Sequence, residues 1–292
     1  MAASAVQAPS LTGDRTPWPR LWLAAGAEIG VAVVVAVVLF GAAKRTSPGD
    51  PHSGMHMNVH ASPISLSAAV AVAAAVTAAA FAWWARTRDR IPALLTAGGL
   101  VGLAVCEPVR AIALQSHLVG MVVLEALLVA VPLLLISTRR PRPATAPTRS
   151  TPWTSLVVVA VVLNSVLLIG LHLPGVHSKA MALPAIPLLL VVLTVGVGTT
   201  YWATILLTAG RVTTAVRLRA LFIGQEVAAI LGLAAVILPS PIMADHTVIG
   251  LSGITDQRLG GVVMLITCAA VTLPLARRLQ PRQPARHPEA RR

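Results

Sequence analysis

Runs of roughly twenty apolar residues recur along this chain from Leu21 almost to its end, and about twenty is the length a helix needs to cross a bilayer core. In lipid every backbone amide must find its partner within the chain, so a spanning segment is a helix or part of a closed barrel. None of the runs alternates apolar and polar residues at period two, as barrel strands do. With 56% hydrophobic and 11% charged residues, the chain is far more apolar than a soluble domain. It reads as an all-α, multi-pass transmembrane helical bundle.

Eight runs qualify: Leu21 to Ala42, Leu66 to Ala85, Pro92 to Leu114, His117 to Ser137, Trp153 to Leu173, Leu183 to Thr208, Leu218 to Leu238 and Leu259 to Ala276. The third is interrupted by Glu107, Pro108 and Arg110, which leave sixteen largely apolar residues from Ile91 to Cys106. Basic residues decide whether it counts, because lysine and arginine collect in cytoplasmic loops. With eight spans and both termini cytoplasmic, eighteen of the 23 basic residues face inward: Arg15 and Arg20, Arg86, Arg88 and Arg90, Arg139, Arg140, Arg142 and Arg149, Arg211, Arg217 and Arg219, and six from Arg277 onward. Omitting the third span would put the Arg86 and Arg139 clusters on opposite faces. The first run is too long for a signal-peptide core and contains Glu28, so it reads as an uncleaved helix. The bundle then occupies residues 20–278, between a disordered cytoplasmic N-terminus, 1–19, and a disordered basic tail, 279–292. The net charge of +13 is a topological signal that also attracts anionic headgroups, which removes the argument for a nucleic-acid partner and leaves the lipid bilayer.

That topology sorts the histidines. His52, His56, His60, His117, His172, His177 and His246 fall on the outer face, and His287 alone falls inside. In "SGMHMNVHASP" and the residue before it, His52, Met55, His56, Met57 and His60 place five imidazole or thioether groups within nine residues, a donor set suited to copper. His52, His56 and His60 would share one face of a helix, but Pro51, Gly54 and Pro63 disfavour one. The segment reads either as a capture loop for Cu(I) or as a polar linker. "SHLVGMVVLEALLVAVPLLL" puts His117, Met121 and Glu125 on one face running inward, where they form either a ligand series or an interfacial histidine above core packing. His172 and His177 flank a Pro174–Gly175 turn and can reach the same vestibule. Glu28, Glu125 and Glu226 lie within spans and are functional candidates or structural partners inside the bundle. Cys106 and Cys268 form no CxxC motif and read as buried thiols. No P-loop, dinucleotide fingerprint, GxSxG elbow or HExxH is present, so the chain is not expected to be an enzyme.

In order along the chain, "SHLVGMVVLEALLVAVPLLL", "LHLPGVHSKAM", "GTTYWATIL" and "GLSGITDQRLGGVVML" resemble the landmarks of the CtaG family of multi-pass cytochrome c oxidase assembly proteins, over about residues 92–276. Gly250, Leu251, Asp256, Gln257, Gly260, Gly261 and Met264 match its most specific signature. Family members usually carry two histidines four apart where this chain has His117 and Met121. A Glu-His pair expected about eleven residues before Trp202 is here Leu190 and Val191, and Leu171 precedes His172 where tryptophan is usual. The resemblance implies a role in maturing a haem-copper oxidase in a bacterial plasma membrane. The metal-ligating candidates are His52, Met55, His56, Met57, His60, His117, Met121, His172 and His177, the cofactor is copper as Cu(I), and the partners are oxidase subunits. The expectation is capture of copper by the His52–His60 loop, holding in the vestibule and transfer to the oxidase. The alternatives are a CopD-like copper permease, a haem-binding electron carrier ligated by His117 and His172, and a metal-free scaffold for oxidase assembly.

Overall fold

The computed structural model describes residues 63–139, 151–172, 186–238 and 251–280. The described residues form helices, with one isolated bridge between Ala209 and Val212. They are α1 (Pro63–Thr87), α2 (Arg90–Val105), α3 (Glu107–Ala113), α4 (His117–Ser137), α5 (Thr151–His172), α6 (Ile186–Leu206), α7 (Thr214–Ile237) and α8 (Gly253–Leu279). Six of these are long and apolar enough to cross a membrane, or seven if α2 and α3 count as one broken span. The expected first span, Leu21 to Ala42, lies outside the described residues, as do both chain ends.

The interrupted third run resolves into two helices bent by 65°. Cys106 sits between them in an extended conformation, at ψ 139°. Proline at position 108 lacks an N–H to bond back into α2, and its ring would clash with the carbonyl four residues earlier, so the helix stops and restarts. Where no proline intervenes, polar caps set the starts. Ser116 Oγ accepts from the N–H of Val119, Thr213 Oγ1 from Val216 and Ser252 Oγ from Thr255, each satisfying a donor that the first turn would otherwise leave open.

Packing pairs α8 with both α7 and α4, α5 with α6 and α7, and α6 with the later part of α4. One large core cluster runs through these helices, including Met121, Leu168, Trp202, Leu221 and Met264. A second cluster joins Phe81 and Trp84 of α1 and Ala93, Ala97 and Leu100 of α2 to Ala130, Val131 and Leu134 of α4. At Gly261 a Cβ would lie 2.5 Å from the carbonyl oxygen of Gly232. Close backbone approach at small residues is how helices associate in lipid, where apolar contact alone drives nothing.

Contacts fix which helix ends lie together. Asp256 of α8 reaches Ser116 and His117 at the start of α4, Gln257 reaches Ala235 late in α7, and His117 meets His172 at the end of α5. At the opposite end Arg217 Nε donates to the carbonyl of Ile205 at 2.6 Å, and Arg211 lies 4.4 Å from the Trp153 ring centre. Of eleven described arginines, only Arg110 and Arg258 sit toward the histidine end. The bundle is polarised, with imidazoles at one end and guanidinium groups at the other.

Candidate functional site

The site begins with one carboxylate shared by two helix starts. Asp256 lies in the first turn of α8 and is buried. Ser116 Oγ–H donates to its Oδ1 at 2.6 Å, and the His117 N–H donates to its Oδ2 at 2.5 Å. A negative group at a helix N-terminus is stabilised by the unpaired amides and the dipole there. Asp256 serves α4 in this way from within α8, tying two segments separated by about 140 residues in the chain. One residue on, Gln257 Nε2 donates to the Ala235 carbonyl at 3.0 Å, which anchors the last turns of α7.

Those bonds hold His117 against α8. A Cβ at position 260 would stand 2.6 Å from His117 Cδ2, so Gly260 leaves the space that the imidazole fills. The ring is buried, and its centroid lies 6.3 Å from that of His172, with the planes at 76°. His172 Nδ1 is 2.7 Å from the carbonyl oxygen of Leu168. A carbonyl can only accept, so Nδ1 carries the proton, and in the neutral ring Nε2 keeps its lone pair. That nitrogen is buried and has no hydrogen-bond partner among the described residues. A backbone bond that fixes the tautomer and turns the second nitrogen outward is the usual support of a metal-binding histidine.

The 6.3 Å, 76° arrangement of the two rings is that of edge-to-face packing, and the buried Nε2 of His172 is an atom that would serve a metal ion as donor. Among the described residues no three His, Cys, Asp or Glu side chains converge as a cage. The available donors are therefore the two imidazoles, with the Met121 thioether one turn below His117 on its face of α4. Met121 is buried in the same core cluster as Leu168 and Met264. A low-coordinate set of imidazole and thioether suits Cu(I) and is poor for magnesium or calcium.

Of the expected ligands, His117, Met121 and His172 thus gather at one end of the bundle. His52, Met55, His56, Met57, His60 and His177 lie outside the described residues. Leu190 and Val191, where the family pattern has Glu-His, are half-buried on α6. Glu226 points out of the bundle while its neighbour Gln225 points in. Cys106 is half-buried between α2 and α3, and its sulfur lies 3.0 Å from the Leu103 carbonyl.

The remaining landmarks support the vestibule from below. Immediately after Glu125, α4 passes through one π-helical stretch, Ala126–Ala130. Trp202 Nε1 donates to the Leu128 carbonyl within it at 3.0 Å. At position 198 a Cβ would stand 2.4 Å from that same carbonyl oxygen, so glycine lets α6 seat against the turn. The Tyr201 hydroxyl donates to the Leu221 carbonyl at 3.2 Å. Its ring fills the space a side chain at Gly224 would need. Sequence reading singled out the tryptophan and the Asp-Gln and Gly-Gly pairs by resemblance, but not what they touch. Gly260 beside His117, like Asp256 beside Ser116, joins two helices and so lies beyond a spacing rule within a single helix.

No curated protein and no solved structure matches the chain. The family model for the cytochrome c oxidase caa3 assembly factor matches residues 92–279, which takes in nearly all of α2, the whole of α3 to α8 and every residue of the site described above. The chain belongs to that family of oxidase assembly factors.

Proposed function

We propose that this protein is a plasma-membrane assembly factor that holds Cu(I) at the outer end of the bundle and passes it to a haem-copper cytochrome c oxidase, without turnover chemistry of its own. The observation that carries the reading is the His117–His172 pair, 6.3 Å between centroids, with the Leu168 carbonyl directing the second ring. Family membership supports the oxidase as recipient. Arginines gathered at the far end support an outward-facing histidine end, since basic residues stay cytoplasmic. The His52–His60 segment captures the ion, and His117, His172 and the Met121 thioether hold it. Exchange among a few soft ligands then hands it on.

A Cu(I) competition titration on detergent-purified protein tests this. The parent is expected to compete for Cu(I), His117→Ala and His172→Ala each to lose the held ion, and joint replacement of His52, Met55, His56, Met57 and His60 by alanine to slow loading. Binding unchanged in both single variants overturns the site. No binding in the parent leaves a metal-free scaffold, and a Soret band in the purified protein assigns the pair to haem. Delivery is tested separately: a deletion strain grown at low copper is expected to yield oxidase deficient in copper.

A further inference from the structure

Two columns of side chains run inward from the histidine pair. On α4 they are His117, Met121 and Glu125, and on α5 His172, Leu168 and Asn164, each stepping four residues, so that both columns descend about 12 Å in two turns. They end at a small internal cavity lined by Glu125 and Asn164, with Tyr201, Gln225 and Cys268 among its other walls. Every residue lining it is buried, and its free space is about that of a single water molecule. Asn164 is 2% exposed, and its Oδ1 accepts no hydrogen bond from the described residues.

We propose that this cavity is a binding site for one water molecule, held between the Asn164 amide oxygen and the Glu125 carboxyl in the middle of the bundle. The chemistry selects the ligand. Asn164 Oδ1 needs a donor, Glu125 offers acceptor oxygens, and the space admits only a molecule of about water's size. Water donates twice from one atom and is stable where a site gives it two to four polar partners. A free cation would lose its hydration to a wall in which, beside Glu125, Asn164, Tyr201, Gln225 and Cys268, the other five residues are leucine, valine, alanine and tryptophan, a poor exchange in a space of about one water. The π-helical stretch that follows Glu125 marks a local departure of α4 from regular geometry at this level, as often occurs at sites with a role beyond packing. The site stands independently of whether copper binds above it.

Radiolytic hydroxyl-radical footprinting of the full-length protein in detergent, in water enriched in oxygen-18, tests the proposal. Radicals form from bound water and mark the side chains beside it. Tyr201 and Cys268 are expected to be oxidised several-fold faster than Trp84, which is as deeply buried as Tyr201 and does not line this cavity, with the label entering after a lag. Asn164→Leu, which removes the acceptor, is expected to lower both rates several-fold, and Asn164→Asp, which keeps one, to preserve them. Tyr201 and Cys268 reacting no faster than Trp84 in the parent overturns the proposal, whatever the variants do. So does fast oxidation that Asn164→Leu leaves unchanged.

Discussion

Gly260 is glycine because an imidazole stands where its side chain would go. A methyl there meets His117 Cδ2 at 2.6 Å and the His117 carbonyl oxygen at 3.2 Å, and the ring cannot retreat without leaving His172. Gly260→Ala is therefore expected to destabilise the bundle by about 1–3 kcal/mol, the usual cost of overpacking. It should also weaken Cu(I) binding, although no ligand is changed. Thermal unfolding in detergent and copper competition, run side by side, check the two effects. Asp256 is the second such position. Asp256→Ala leaves the Ser116 hydroxyl and the His117 N–H buried without their acceptor, at a cost of about 1–3 kcal/mol for each group. Asp256→Asn keeps one acceptor oxygen and should fall between. Stability restored to the parent value in Asp256→Ala would show that the carboxylate does not organise the start of α4.

The apolar runs were legible because a membrane requires length, and length is written directly in the chain. Even the break in the third run was visible, since Pro108 removes a backbone donor and crowds the preceding turn, next to the charges of Glu107 and Arg110, whereas Pro274 is carried inside α8. The π-helical stretch in α4 was not: Ala126 to Ala130 look like any apolar helix, and what meets the Leu128 carbonyl there, Gly198 and Trp202, lies on α6. The two variants that probe this contact should separate. Trp202→Phe loses one buried hydrogen bond, about 1–2 kcal/mol. Gly198→Ala drives a methyl into backbone that has nowhere to move, and should cost more. Denaturation midpoints in mixed micelles rank them, and equal effects would mean that the tryptophan N–H alone sets the contact. Glu226 was equally opaque from sequence. Helical period places it beside Gln225 without saying which of them faces in, and the answer depends on what α8 and α5 cover. Glu226 is exposed among the described residues near the middle of α7. Glu226→Leu is expected to ease insertion of α7 by about 3 kcal/mol, read in a translocon insertion assay, with no loss at the histidine pair.

Imidazoles at one end and guanidinium groups at the other give the molecule a direction, and the way α1 is attached makes that direction testable. Its buried side chains Phe81 and Trp84 belong to the smaller cluster with α2 and the later part of α4, which does not include the Asp256 clamp. Exposing Ala93, Ala97 or Val131 to acyl chains costs little, because lipid is as apolar as the side chains it replaces. Truncation is therefore tolerated or not according to topology. Removing residues 2–89 deletes the Leu21 to Ala42 run together with α1. If both cross the membrane, α2 still enters from the cytoplasmic side, with Arg90 to hold it there. A C-terminal fluorescent reporter that folds only in the cytoplasm should stay bright, and the protein should still bind Cu(I) at His117 and His172. Removing residues 63–89 alone deletes one span and sets the odd number against the arginines at 139, 211, 217, 219, 277 and 278. That variant should lose the reporter signal or be degraded. A bright reporter in both deletions would mean that the Leu21 to Ala42 run does not cross the membrane, and that the bundle has an odd number of spans.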